Sequence, residues 1–316
     1  MTAGRRVRVL LASVLGLALL AGCGPSGGHD GGTAAPGGAG SSRAASPGAG
    51  SGRPTAAGTP SAGRSGGVPR PAHVLVVLFE NKGYDNVVGN PQAPYLNLLA
   101  KRGALLTNSH GVAHPSQPNY LALFAGATHG VTDDSCPHTF HADNLGAQLL
   151  AAGHGYASYA EGLPSAGFTG CGNGNYARKH APWTDFANVP ARSQLPLRAL
   201  PTDYAKLPQV GFVIPDLCSD MHNCSVSTGD RWLSANLGGY ASWAQHHDSL
   251  LIVTFDEDEG TGANRIPTIL TGAPVRPGHY GGRVDQYTML RTLEAMYGLP
   301  PLGAAAHRAP LTGVWR

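Results

Sequence analysis

Two uninterrupted apolar runs set the tightest limit on what this chain can fold into: His73-Val74-Leu75-Val76-Val77-Leu78-Phe79 and Leu250-Leu251-Ile252-Val253-Thr254-Phe255. Neither alternates apolar with polar residues, so neither suits a sheet with one wet face. Each reads as a strand buried on both sides, which requires helices above and below the sheet. Both runs stop abruptly at acids, Glu80-Asn81 after the first and Asp256-Glu257-Asp258-Glu259 after the second.

The remaining pattern fits that frame. Helical apolar spacing over 94–102 ends at Gly103, and 104–108 reads as a strand. Pro118 suits the first turn of a helix that Leu121 to Ala125 continue as far as Gly126. Further helices are predicted over 145–152, from about 230 to 246, and over 286–297, with Leu290, Leu293 and Met296 on one side. Strands are predicted over 156–160, 210–214 and 266–270. This alternation predicts an α/β fold, a mostly parallel central sheet flanked by helices on both faces. The pattern weakens over 128–198, which reads as excursions rather than core.

The N-terminal part is of another kind. Arg5, Arg6 and Arg8 precede the apolar run 9–20, as in a secretory signal, and Leu20-Ala21-Gly22-Cys23 resembles a bacterial lipobox, whose cysteine is lipidated. Residues 1–22 are therefore expected to be a lipoprotein signal peptide and Cys23 a membrane anchor. Residues 23–70 are Gly, Ser, Ala, Pro and Thr with hardly an aromatic, too little apolar surface to offset the entropy of ordering. They read as a disordered linker, and 71–316 as the catalytic domain, extracytoplasmic and lipid-anchored to the bacterial cell membrane.

Apart from Cys23, four cysteines remain, an even number suited to two disulfides outside the cell. Of three pairings, Cys136 with Cys171 and Cys218 with Cys224 is favoured, since the second pair is close in sequence and the first would brace a long irregular region. A zinc site is the rival, but paired Cys-Xaa-Xaa-Cys spacing is lacking. From Pro71 onward 15 basic residues face 18 acidic ones, with no basic stripe, which argues against a nucleic-acid partner.

Ligands of open α/β sheets bind beyond the carboxyl ends of the strands, where Glu80-Asn81 and Asp256-Glu257 both fall. Three carboxylates and an amide make an oxygen-rich pocket suited to a divalent metal ion, although acids after a strand can equally cap a helix. The segment His114-Pro115-Ser116-Gln117-Pro118-Asn119-Tyr120 offers a hydroxyl at a helix N-terminus, where backbone N–H groups favour an anion. His114, His222 in a polar loop and His279 in a Gly-rich turn are candidate proton carriers. Asn119 and Arg265 could bind phosphate oxygens or satisfy backbone groups.

These segments, together with Asn264-Arg265 and His279-Tyr280, stand in the order found in the phosphoesterase family of secreted acid phosphatases and phospholipases C, within the alkaline phosphatase superfamily, and span nearly all of 71–305. The chain resembles most the small bacterial acid phosphatases, among them enzymes acting on phosphatidylinositol 3-phosphate. The resemblance implies an alkaline-phosphatase-like fold and metal-assisted hydrolysis of phosphate monoesters through a phosphoserine. It puts Ser116 at the nucleophile position, Glu80, Asn81, Asp256 and Glu257 at metal positions, and His222 and His279 near the phosphate. Two other readings compete: a phospholipase C-like phosphodiesterase, against which Tyr120 stands where many such relatives carry Arg, and a lipoprotein that binds a ligand without chemistry.

Overall fold

The first apolar run forms β1 (His73–Phe79) within the predicted bounds, and all but its first residue are buried. The computed structural model describes residues 67–316. The expected signal peptide, Cys23 and the linker as far as residue 66 lie outside the described residues. After β1 come α1 (Tyr84–Val87), α2 (Pro94–Arg102), β2 (Ala104–His110), α3 (Ser116–Ala125), α4 (Leu145–Ala151), β3 (Tyr156–Ala160), the short pair β4 (Gly172–Asn173) and β5 (Tyr176–Ala177), and β6 (Gln194–Pro196). The chain continues through β7 (Val210–Ile214), α5 (Val226–Ala244), β8 (Ser249–Phe255), β9 (Arg265–Gly272), β10 (Gly278–Tyr280), β11 (Val284–Asp285) and α6 (Gln286–Tyr297).

A nine-stranded sheet runs in the order β10-β2-β9-β8-β1-β7-β3-β6, with β11 also on β2. The pairing is parallel except at β9, which is antiparallel to both β2 and β8. The stretch between β8 and β9 is too short for the helical crossover that a parallel return needs. Side chains of β1 alternate between two cores, as a strand's period of two dictates. Val74, Val76 and Leu78 pack with Leu121, Phe124 and Leu290 on one face, and Leu75, Val77 and Phe79 with Leu96, Leu233 and Leu237 on the other. Each such burial contributes roughly 1.5–3 kcal/mol.

Helix α3 is buried at all ten positions, so it has no wet face on which to shift. It ends at Gly126, with φ of 71°, where a Cβ would stand 2.3 Å from the Leu302 carbonyl oxygen. No side chain but hydrogen fits there. The serine at the helix's other end is thus carried on a rigid rod.

Two expectations change. Helix α5 begins at Val226 rather than near residue 230, because Val226 and Gly229 are buried against neighbouring structure although Val-Ser-Thr-Gly is a weak helix former. Its buried Asp230 accepts the backbone N–H groups of Tyr95 and Leu96, at 3.1 and 2.8 Å, and so caps α2. The stretch 128–198 is not merely excursion. Trp183 and Phe186 from it are buried against Phe124 of α3, and Arg178 is buried with Asp185, 2.8 Å apart. The favoured cysteine pairing is the one formed, Cys136 with Cys171 and Cys218 with Cys224. No helix among the described residues is long and apolar enough to cross a membrane.

Candidate active site

Parallel register brings the acidic strand ends together. Phe79 of β1 is paired with Phe255 of β8, so Glu80 and Asp256 leave the sheet side by side, with strands about 4.8 Å apart. Strand β7, on the other side of β1, leads into the loop that carries Asp220, and the Glu80 N–H donates to the Asp220 carbonyl at 2.9 Å. Strand β2 points the same way and leads through 111–115 into Ser116. Three strand ends and one helix N-terminus converge at one edge of the sheet.

The Ser116 hydroxyl, 1% exposed, donates to Glu80 Oε2 at 2.9 Å and lies 3.2 Å from Glu257 Oε1. Its loop is held by Asn119, whose Oδ1 accepts from the Val112 and Ala113 N–H groups and whose Nδ2 donates to the Ala113 and Pro115 carbonyls. Asn119 therefore serves the backbone. Arg265 likewise donates to the Thr107 carbonyl, at 2.7 and 3.0 Å, and stacks on Tyr84, away from the serine. His114 bonds Glu257 through Nδ1 and lies 3.1 Å from the Thr261 carbonyl through Nε2, so it orients a carboxylate that touches the serine.

Asn81 adopts φ of 51°, the left-handed region that Asn tolerates. That turn lets its N–H donate to Asp256 Oδ1 at 3.1 Å and its side-chain amide to Glu80 Oε2 at 3.2 Å. All four residues expected at metal positions, Glu80, Asn81, Asp256 and Glu257, thus gather around Ser116. Two more join them that sequence reasoning passed over, His180 and Asp220, both buried. Single ligand atoms of Glu80, His180 and Asp220 lie within 4.8 Å of one another. His180 also stacks on Tyr120, whose hydroxyl bonds Glu80.

Electrostatics here are severe. Burial, followed by repulsion from Asp256 and Asp220, pushes the Glu80 carboxyl well above the usual range. Burial and then Glu257 raise Asp256 to about 7, and burial raises Asp220 to about 7. Glu257 is raised by burial despite the opposing pull of His114. Burial drives His180 the other way, well below its ordinary value, with the Lys179 ammonium and the nearby His222 adding to the shift. Its neutral imidazole is no counter-charge for the acids.

Several polar atoms in this cluster are orphaned. His180 Nε2 comes within 3.0 Å of Glu80 Oε1, and Nδ1 within 3.2 Å of Asp220 Oδ2, distances that suggest ion pairs. They are not ion pairs, since the imidazole is neutral and neither Nε2 nor Asp220 Oδ2 makes a hydrogen bond. Asp256 Oδ2 is also buried without a partner. Crowded carboxylate oxygens, one neutral imidazole nitrogen and unsatisfied lone pairs form a donor set that fits a divalent cation.

The two expected phosphate histidines part company. His222 lies in the loop closed by Cys218–Cys224, its N–H donating to Asp220 Oδ1 at 2.8 Å and its ring 6.0 Å from that of His180. His279 is exposed on β10, opposite Leu105 near the start of β2, whereas Ser116 follows the far end of that strand. From Leu105 to His110 is roughly 16 Å of strand at about 3.3 Å per residue. The structure does not bring His279 to the serine.

The Phosphoesterase family description matches residues 90–300. A phosphatidylinositol-3-phosphatase of Mycobacterium tuberculosis is 47% identical over 78% of this chain and 84% of its own length. A phosphate-repressible acid phosphatase of Penicillium chrysogenum is 32% identical over 71% of this chain, which spans only 60% of that relative. Among solved structures, an alkaline phosphatase superfamily protein from Vibrio parahaemolyticus aligns with TM-score 0.52 at 15% identity, over 78% of this chain and 71% of its own. The lipoteichoic acid synthase LtaP of Listeria monocytogenes aligns with TM-score 0.53 at 12% identity, over 75% and 74%. Such distant likeness speaks to the fold, an alkaline-phosphatase-like sheet. With the family description matching residues 90–300 and 47% identity spanning most of the mycobacterial phosphatase, this chain belongs to the phosphoesterase family.

Proposed function

We propose that the chain hydrolyses phosphate monoesters through a phosphoserine at Ser116. The observation that carries this reading is the Ser116 hydroxyl itself, buried at the N-terminus of α3 and hydrogen-bonded to carboxylates from two different strand ends. Glu80, Asn81, Asp256 and Glu257 would hold a divalent cation with His180 and Asp220 beside them. When bound, that cation supplies positive charge against the phosphoryl oxygens and lowers the serine pKa.

The chain's own residues divide the remaining work. Ser116 Oγ forms a bond to phosphorus as the bond to the alcohol oxygen breaks; its proton is lost to solvent, and Glu80 and Glu257, at 2.9 and 3.2 Å, orient the Oγ. The α3 N-terminus favours the negative charge of the phosphoryl group. His222, partly exposed beside the cluster, is the proposed donor of a proton to the departing alcohol. Water then attacks phosphorus, the serine recovers its proton, and inorganic phosphate leaves. Splitting the hydrolysis into two displacements is the gain from a covalent intermediate.

A phosphoinositide 3-phosphate substrate is supported by the mycobacterial relative named above. Export is supported by the two disulfides, which belong to oxidising compartments, and lipid anchoring by the leader and Cys23. Cys23→Ser in the full chain is expected to move the protein from the membrane fraction to the medium; unchanged membrane retention counts against a lipid anchor.

A phosphodiesterase is the competing activity. Tyr120 favours the monoesterase, since its buried hydroxyl bonds Glu80 and leaves no cation at that position. The purified protein with divalent metal is expected to turn over p-nitrophenyl phosphate at least about 10-fold faster than p-nitrophenyl phosphorylcholine, roughly 1.4 kcal/mol in barrier. The reverse preference overturns the monoesterase reading.

A further inference from the structure

Asp134 and Lys179 form an ion pair of 2.6 Å immediately beside the nucleophile. Asp134 Oδ1 accepts the backbone N–H of Gln117, the residue after Ser116, at 3.0 Å, while Oδ2 takes the Lys179 ammonium. Lys179 is in turn the residue before His180. The lysine side chain is 18% and the aspartate 29% exposed, so both reach solvent although Ser116 beside them is buried.

The surrounding structure fixes this placement. Cys136–Cys171 ties the segment carrying Asp134 to the one that leads into Lys179. Arg178, the residue before the lysine, is buried and bound to Asp185 and to the Thr169 and His138 carbonyls. Gln117 approaches that same Asp185 at 3.4 Å, which links the framework to the serine helix. Lys82, the other lysine near the site, donates to the Asn81 and Met221 carbonyls, both at 3.0 Å. Lys179 uses one of its three donors on Asp134 and can direct another at a ligand.

We propose that Lys179 is a specificity-determining residue: its ammonium, positioned by Asp134 beside the N-terminus of α3, donates to a non-bridging oxygen of a phosphate monoester dianion. This deepens the phosphomonoesterase reading and rests on it. A monoester carries one more negative charge than the matched diester, so a cation here favours the monoester selectively. Charge-assisted hydrogen bonds are the strong ones, and removing the charge should weaken the dianion more than the monoanion.

The test uses Lys179→Gln, which retains a donor for Asp134, and Lys179→Arg, which retains the charge. For each variant and the wild type, with divalent metal present, kcat/KM is measured for p-nitrophenyl phosphate and for methyl p-nitrophenyl phosphate. Competitive inhibition by inorganic phosphate is measured alongside. The ratio of the two substrates on one sample is independent of how much protein is folded. Lys179→Gln is expected to lower the monoester-to-diester ratio by about 10-fold or more and to weaken phosphate inhibition similarly, with Lys179→Arg recovering much of both. A ratio unchanged in Lys179→Gln, with the wild type active on the monoester, overturns the role of the lysine and leaves the phosphatase reading standing. A wild type that turns over neither ester overturns both.

Discussion

Ser116→Ala is expected to lower kcat for p-nitrophenyl phosphate by roughly 10³-fold or more, the scale on which loss of a covalent nucleophile is felt. The same change should hardly affect the fold. Helix α3 takes no side-chain cap from this residue, and its position is fixed by burial at all ten positions and by the Gly126–Leu302 contact at its other end. The hydroxyl lost is one donor to two carboxylates that burial already pushes toward protonation. We therefore expect a change in stability of only about 1 kcal/mol, and circular dichroism melts that nearly overlay. Residual turnover near wild-type level would show that another group attacks phosphorus.

Removing divalent metal is expected to abolish turnover and also to reverse how stability depends on pH. In the metal-free protein Asp256 and Asp220 have carboxyls raised from 3.8 to about 7, and Glu80 is raised as well. Between about pH 4 and 7 the folded form then holds protons that the unfolded chain has lost, so stability falls as pH rises through that window. His180 acts oppositely: its depressed value means the unfolded chain gains a proton below about 6.5 that the folded form refuses. Three carboxylates outweigh one imidazole. Each pKa unit corresponds to about 1.4 kcal/mol, but the acids titrate as a coupled group, so the total is on the order of a few kcal/mol. With metal bound the carboxylates must be ionised, protons compete with the cation, and stability should instead rise with pH over the same window. Thermal melts at pH 5 and 7.5, with and without chelator, read this directly. Parallel pH trends in both samples would mean that these acids do not hold the cation.

What the sequence disclosed follows physical lines. Strands β1 and β8 were legible because residues buried on both faces leave a continuous apolar run, and the acids that end those runs were legible as a pocket because parallel strands finish together. Helix α3 was recognisable from Pro118 and Gly126, and both disulfides from an even cysteine count with one close pair. His180 was not. It sits in a short turn, Arg178–His180, without helical or strand period, and reaches Glu80 only because Arg178, Asp185 and the Cys136–Cys171 bridge fold that turn against α3. The nearby Trp183 was the available sign, since a large apolar side chain in an apparent loop is usually buried. His279 misled for the converse reason. A histidine in a Gly-rich turn suggests a ligand loop, yet here the turn supplies an edge strand beside the start of β2.

Ser116 as the carrier of the phosphoryl group is tested most directly by trapping it. The wild-type enzyme, mixed with p-nitrophenyl phosphate and quenched in acid within the first turnovers, should yield on digestion a peptide bearing one added phosphoryl group at Ser116. Ser116→Ala treated identically should yield none. Rapid turnover with no phosphorylated Ser116 at any quench time, or a phosphoryl group on another residue, would contradict the account.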